Sequence, residues 1–392
     1  MKKLIIAVCM TLPAADAAAM QNLNLGGFDI KPVVSSQEKY DTNIYLTRDL
    51  VKASLINRSS GGLGFMNKEG ARLSIKGGYS LEGLFYTRAH RINDAVHHNA
   101  NMTVGYELSG GRTITAEDKY MATTDQATSE LTARSKRVQN VGSIAYESPL
   151  KGKFGFGVDG QHTFHDYLSP NNKALDRAEM AAGMDLHYKV QPKTKLFASY
   201  HYGMLRYAHS NANTNTRTND AVYSDVDAGV TGKITSRLTG TLKGGAQFRL
   251  YKKDLANASN SRTTGGYSAQ LNWRAAEKTE VVWFGKRGNV ESTYGDSRFY
   301  VSTLNDIGFS REINKFKAGI GGGYEALRYP EETAGSNAKR HDGITTARAT
   351  LDYNLQKWLK AGAGYSYKTR VSNERTNNYV DNIVTLEIKG MF

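Results

Sequence analysis

From Leu73 to Phe85 the chain alternates between two kinds of residue. Leu73, Ile75, Tyr79, Leu81 and Phe85 share one parity, and Ser74, Lys76, Ser80 and Glu82 share the other. A period of two puts the two sets on opposite faces of a β-strand. The same alternation runs from Leu238 to Leu250, where Leu238, Leu242, Ala246, Phe248 and Leu250 oppose Thr239, Thr241, Lys243, Gln247 and Arg249. It returns from Ala347 to Leu355. These runs are about twice the ~5–6 residues usual for soluble strands. An apolar face opposite a polar one over that length predicts a wall with lipid outside and water inside. Lipid cannot satisfy a free strand edge, so such a sheet must close on itself.

The punctuation repeats at roughly 40 residues, the length of two long strands, one tight turn and one longer loop. Short polar steps lie at Asn67–Arg72, Leu108–Thr113, Ser148–Lys153, Val190–Lys195, Ile234–Thr239, Arg274–Thr279, Arg311–Phe316 and Asn354–Leu359. Longer stretches rich in Asn, Ser, Thr and Gly separate them, among them Leu168–Leu175, Ala208–Asp220, Asp254–Arg262 and Tyr329–Asp342. Eight short turns and nine long loops join about eighteen strands. The expected fold class is all-β: a transmembrane antiparallel up-and-down β-barrel. Its strands take up the sequence from Phe28 to Phe392.

The first residues point to export. Lys2 and Lys3 precede an apolar run from Leu4 to Leu12, Pro13 breaks it, and Ala17, Ala18 and Ala19 follow. That is the layout of a secretory signal peptide, cleaved after Ala19 or at Ala17. The expected division is a signal peptide over 1–19 and a barrel over 20–392. The apolar run is far short of the ~18 residues of a spanning helix, and no later run reaches that length. Cys9, inside the leader, is the sole cysteine, so the exported part has no thiol chemistry. The formal charge of +14 becomes +13 without Lys2, Lys3 and Asp16. Export makes nucleic acid the least suitable partner for that charge and leaves anionic lipid or an acidic solute. The compartment that fits is the outer membrane of a Gram-negative cell.

Barrels of 16–18 strands leave an aqueous channel, so the polar face is the candidate functional surface. It carries Arg58, Arg72, Lys76, Lys189, Lys233, Lys243, Arg249, Lys317, Arg348, Lys360, Lys368 and Lys389. Against them stand Glu82, Glu107, Asp159, Asp185, Asp225, Asp227, Glu325, Asp352 and Glu387. A modest cationic excess favours anionic solutes; a wall of compensating ion pairs would have no preference. Loop cations, including Arg134, Lys136, Arg137, Lys252, Lys253, Arg328, Lys339 and Arg340, could meet lipopolysaccharide phosphates or a secreted acidic polymer. Tyr86, Tyr106, Tyr146, Phe164, Tyr188, Tyr251, Trp273, Trp283, Trp358 and Tyr367 suit interfacial girdles. In the last strand Val384, Leu386 and Ile388 alternate toward the terminal Phe392, the pattern read by the barrel-assembly machinery. Gly390 stands where a larger apolar residue is usual. His97 with His98, and His162 with His165, fall on opposite faces and make no metal pair. No Ser, His and acid arrangement emerges, and the glycines at 319–323 lack the Lys and helix of a phosphate loop. No catalytic residue, metal or cofactor is expected; the Gly319–Gly323 run reads as a face left small at a narrowing or bulge.

The stretch Tyr40-Asp41-Thr42-Asn43-Ile44-Tyr45 resembles the Tyr-Asp-Asp-Asn-Ile-aromatic signature of the putative β-barrel porin-2 family, with Thr42 in place of an acid. The strand from Arg72 to Tyr86 and the His-His-Asn-Ala-Asn start of the segment from His97 to Leu108 are similar too. The resemblance implies an outer-membrane conduit associated with exopolysaccharide export and brings no catalytic residues. It implies polysaccharide-export components as partners, beside lipid, lipopolysaccharide and the assembly machinery. A general diffusion porin and a non-conducting scaffold or barrel enzyme are the other readings left open.

Overall fold

The computed structural model describes residues 23–67, 70–150, 152–209, 219–252, 260–293, 297–333 and 338–392. The segment expected as a leader, with Ala17 and Ala19, lies outside them, as do Lys253 and most of the loops expected at 208–220 and 254–262. Strand β1 is Leu23–Leu25, followed by β2 Phe28–Asp41, β3 Ser54–Asn67, β4 Leu73–Tyr86, β5 Ala95–Leu108, β6 Arg112–Thr123 and β7 Arg137–Pro149. Then come β8 Phe154–Tyr167, β9 Arg177–Gln191, β10 Thr194–Tyr207, β11 Ala221–Lys233, β12 Leu238–Tyr251 and β13 Ser261–Ala276. The chain ends with β14 Thr279–Glu291, β15 Phe299–Ile313, β16 Phe316–Glu332, β17 Lys339–Asn354, β18 Leu359–Ser372 and β19 Tyr379–Met391.

Every consecutive pair from β2 to β19 is antiparallel, and β19 returns to β2 with Ile383 opposite Asp41 and Met391 opposite Val33. The eighteen strands therefore close. Below Val33 the same edge of β2 is taken by β1, which folds back through Gly26 and Gly27 to pair Leu25 with Phe28. The amides that β19 is too short to reach thus still find partners, as a closed wall requires.

Short connections gather at one end and long ones at the other. Two-residue turns at 192–193, 277–278 and 314–315 contrast with the segments at 42–53 and 124–136. Asn314 holds the left-handed conformation that its turn demands (φ 55°). The stretch Tyr329–Asp342, expected as a loop, is mostly strand: β16 and β17 continue to Glu332 and from Lys339, with a register shift between Arg328 and Glu332. That bulge replaces the one expected at the glycine run.

The signature at 40–45 lies at the closing seam. The Asn43 amide N–H donates to Asp41 Oδ1 (3.0 Å) and Asp381 Oδ1 (3.1 Å), and its side chain donates to the Thr47 and Val380 carbonyls. Thr42 Oγ1 donates to Asp381 (3.1 Å). Ile44 is buried with Ile56, Leu84 and Tyr86. These bonds fasten the first loop to the last strand. At the other end of β19, Val384, Leu386 and Ile388 are exposed on the outer face, and Phe392 stacks on Trp358 (5.3 Å between centroids). A Cβ on Gly390 would lie 3.3 Å from the Phe392 ring, a close approach.

Candidate functional site

Residues opposite one another in register share a face of the sheet, so one inward residue fixes the faces of its neighbours. Arg370 of β18 supplies the anchor: its guanidinium donates to the Ser129 and Glu130 carbonyls (3.2 and 3.4 Å), on the loop between β6 and β7. Those elements are far apart around the wall, so they meet through the interior. The parity that carries Arg370 is therefore inward, and the exposed Tyr365 and Val371 of β18 are outward.

Toward the long-loop end the inward positions carry large side chains. Arg249 is paired with Glu291, which also accepts the Tyr207 hydroxyl (3.2 Å). Tyr251 stacks on Phe299, with Arg298 over its ring (4.5 Å). Tyr300 meets Tyr329, Arg340 lies over the Tyr329 ring, and Arg340 and Arg370 both bind Asp342. Tyr223 donates to Glu179 (2.6 Å). Together these form a collar of tyrosines and arginines in which Arg249, Arg340 and Arg370 are held by carboxylates. One irregularity feeds it. β13 pairs with β14 only as far as Tyr267 opposite Arg287. Above that point β14 leans inward, bringing Asn289 to Gln247 (2.7 Å) and Glu291 to Arg249, both on β12.

The loop 124–136 fills the space inside this collar. At its root Arg58 binds Glu82 (2.8 Å) and Asp125 (3.2 Å), and buried His97 lies between Glu82 (3.2 Å) and Thr124 Oγ1 (2.9 Å). Arg134 donates to Tyr86 and Arg137 to the Asp125 carbonyl. Its tip is fastened to the far wall. Glu130, 7% exposed, accepts from Ser292 Oγ (2.8 Å), the Thr293 amide (2.5 Å) and Thr293 Oγ1 (2.9 Å). Ser129 donates to Glu325 (2.5 Å). A carboxylate accepting several bonds in a buried setting is a strong clasp.

Below the collar, toward the short turns, inward side chains lie flat against the wall. Arg348 pairs with Asp306 (2.5 Å) and rests on Gly321, where an added Cβ would meet the guanidinium at 2.8 Å. Asp306 rests on Gly323, His201 on Gly183 and Asp185 on Gly157 in the same way. Each long polar side chain occupies the place of a missing side chain one strand over. The glycines at 319, 321 and 323 thus leave room for Thr350, Arg348 and Asp306 on the same inward face.

Residues 20–392 match the family model described as Putative beta-barrel porin 2. The chain belongs to that family. Among solved structures it is similar to Acinetobacter baumannii OccAB3 (9% identity, TM-score 0.48, covering 93% of this chain and 99% of that one). It is also similar to the outer membrane protein opdK of Pseudomonas aeruginosa (9%, 0.47, 93% and 99%) and to A. baumannii OccAB4 (10%, 0.46, 93% and 98%). No curated protein sequence matches it.

Within this porin-family barrel the residues picked from the sequence separate by height. Arg58, Arg249 and Lys368 stand at the collar; Lys368 lies 5.9 Å from the Tyr379 ring centre. Lys243, bound to Asp227 (2.6 Å), and Arg348 lie midway. Lys76, Lys317 and Lys360 lie near the short turns, with no ion pair among the described residues. Arg72 is not on the wall: it sits in the bend before β4, and its carbonyl accepts the Glu107 amide. Arg134, Arg137 and Arg340 are turned inward and bonded, so they are not offered to lipopolysaccharide. Tyr86 and Tyr251 belong to the interior, 5% and 3% exposed, and leave the expected girdle. The sequence reading also missed the inward tyrosines 167, 207, 223, 300, 329 and 379. Their parity, that of the polar residues on their strands, was the available signal. In the loop after β8, Lys173 donates to Asp166 and Asp176, which hold its ammonium above the usual lysine range.

Proposed function

We propose that this porin-family barrel is an outer-membrane conduit that passes a polysaccharide or another anionic solute, and that the loop 124–136 is its closure. The observation that carries this is the clasp of Glu130 on Ser292 and Thr293. The clasp joins the loop 124–136 to the β14–β15 connection through hydrogen bonds, so it can open without unfolding a strand. Flat-lying side chains below it suit a bulky hydrated cargo, because a polymer slides best along a wall without protrusions. In this reading a leader over 1–19 directs export, the terminal Val384, Leu386, Ile388 and Phe392 engage the barrel-assembly machinery, and lipopolysaccharide surrounds the outer rim. Polysaccharide-export components would deliver cargo to the short-turn end.

Planar-bilayer recording tests the closure. The wild-type chain should show low conductance, and Glu130→Ala should raise it; equal currents in both would remove the closure. Liposome swelling with acidic glycan oligomers against neutral sugars of matched size tests the cargo. Equal rates would favour a general diffusion porin.

A further inference from the structure

Among the described residues the outer face of the barrel is mostly apolar, and β6–β8 interrupt it in mid-wall with an acid and an imidazole. Asp118, Gly142 and His162 stand opposite one another in register on β6, β7 and β8. They share the face of Ile144, Val158 and Phe164, which are exposed toward lipid. Asn140 donates to both carboxylate oxygens of Asp118 (3.1 and 3.0 Å), and the acid and His162 are exposed. Asp118 is not at a rim. Along β6 it is bracketed on the same face by Ala116 below and Tyr120 above, six residues from the short-turn end and five from the long-loop end. Hydrocarbon offers nothing to a carboxylate or an imidazole, so an ionisable pair on a lipid-facing wall is unfavourable unless something covers it. The outward Glu38, by contrast, lies three residues from the long-loop end of β2, where headgroups and water reach it.

Around the polar residues the wall is flat. Ala116, Gly142 and Gly160 are small, and a Cβ on Gly142 would meet nothing closer than Asp118 Oδ2 at 3.6 Å. Small residues that allow close approach, with polar side chains among them, are what membrane-embedded protein contacts use. We propose that this face of β6–β8 is a self-association surface covered by a second copy of the chain. The occupant follows from complementarity. A two-fold axis along the membrane normal beside Gly142 brings the acid side of the patch on one copy to the imidazole side of the other, twice over. An isologous contact needs that kind of self-complementary surface. The inference goes beyond the conduit reading and is independent of it.

The only cysteine of the chain is Cys9, so a single introduced thiol reports contacts cleanly once residues 1–19 are left out of the expressed protein. Gly142→Cys should give a disulfide-linked dimer in lipid vesicles under mild oxidation. Ala349→Cys, on the outer face of β17 beside Ile320, should stay monomeric. Asp118→Leu with His162→Leu, in the Gly142→Cys background, should lower the dimer yield at least severalfold while the heat-modifiable folded band persists. Dimer yields for Gly142→Cys no higher than for Ala349→Cys would overturn the proposal. So would a monomeric wild-type chain at every protein-to-lipid ratio, including one that co-purifies with lipopolysaccharide through Asp118.

Discussion

The two ends of the lumen obey the same alternation and fill it oppositely. At the long-loop end inward positions hold Tyr207, Arg249, Tyr329 and Arg370, and their side chains cross the interior to meet one another and the loop 124–136. Toward the short turns the inward positions hold glycines beside polar residues, and the side chains lie along the wall. A period of two therefore decides only which residues face inward. Whether the inside is open depends on what stands one strand away: a neighbour that props a side chain up, or a glycine that lets it lie down.

The largest effect should come from undoing the crossing. Glu130→Ala combined with Ser129→Ala removes the clasp on Ser292 and Thr293 and the bond to Glu325. Single-channel conductance should rise severalfold, with strand content by circular dichroism unchanged. An unaltered conductance would mean that the collar alone, without the loop, closes the lumen. Next in size is the buried pair of the collar. Glu291→Leu leaves Arg249 without its carboxylate, which costs about 3–5 kcal/mol in a buried setting. Arg249→Met in addition should recover most of that loss in urea unfolding. No such pair exists below the collar at comparable burial among the described residues. There, replacing Asp306 beside the half-exposed Arg348 should cost about 1 kcal/mol or less.

Much of this contrast was legible in the sequence, but not all of it. Strand positions, the eighteen-strand closure and the separation of short turns from long loops follow from period and punctuation, because a one-residue slip would turn a whole strand face over. Which way Lys243 or Arg58 points follows from the same parity. What a charge meets once it points inward was not legible. The partners of Glu130 lie more than 160 residues away in sequence, and no local pattern encodes a meeting across a lumen. Tyr86 and Tyr251 suit a girdle by their places near strand ends, yet they lie in the interior. Parity prevails, since each shares the face of the polar residues on its strand. Gly390 departs from the terminal apolar pattern at a point where the Phe392 ring lies close.

The closing seam makes a smaller but separate test. Asn43 is wholly buried and bonds to β2, to its own loop and to β19. Asn43→Ala should cost about 1–3 kcal/mol, the range for stranding buried partners. The loss should appear as a lower temperature for the gel shift between folded and unfolded bands. If the folded band holds to the same temperature, the loop signature is not what secures β19 to β2.

The smallest effect separates paired from unpaired cations on the lower wall. Lys243 is held by Asp227, whereas Lys360 has no ion pair among the described residues and stands opposite Lys389 in register. Reversing Lys243 to Glu sets two acids side by side, and local repulsion and uptake of counterions absorb much of the change. Reversing Lys360 to Glu creates a partner for Lys389 and removes a free positive charge from the short-turn mouth, where the field is focused. Under a salt gradient Lys360→Glu should therefore shift the reversal potential toward cations by more than Lys243→Glu does. Because salt screens charges within about 10 Å at 0.1 M, the difference should shrink as ionic strength rises. Equal shifts at low salt would show that ion pairing along the wall does not shape selectivity, and the flat-lying side chains would then matter only for width.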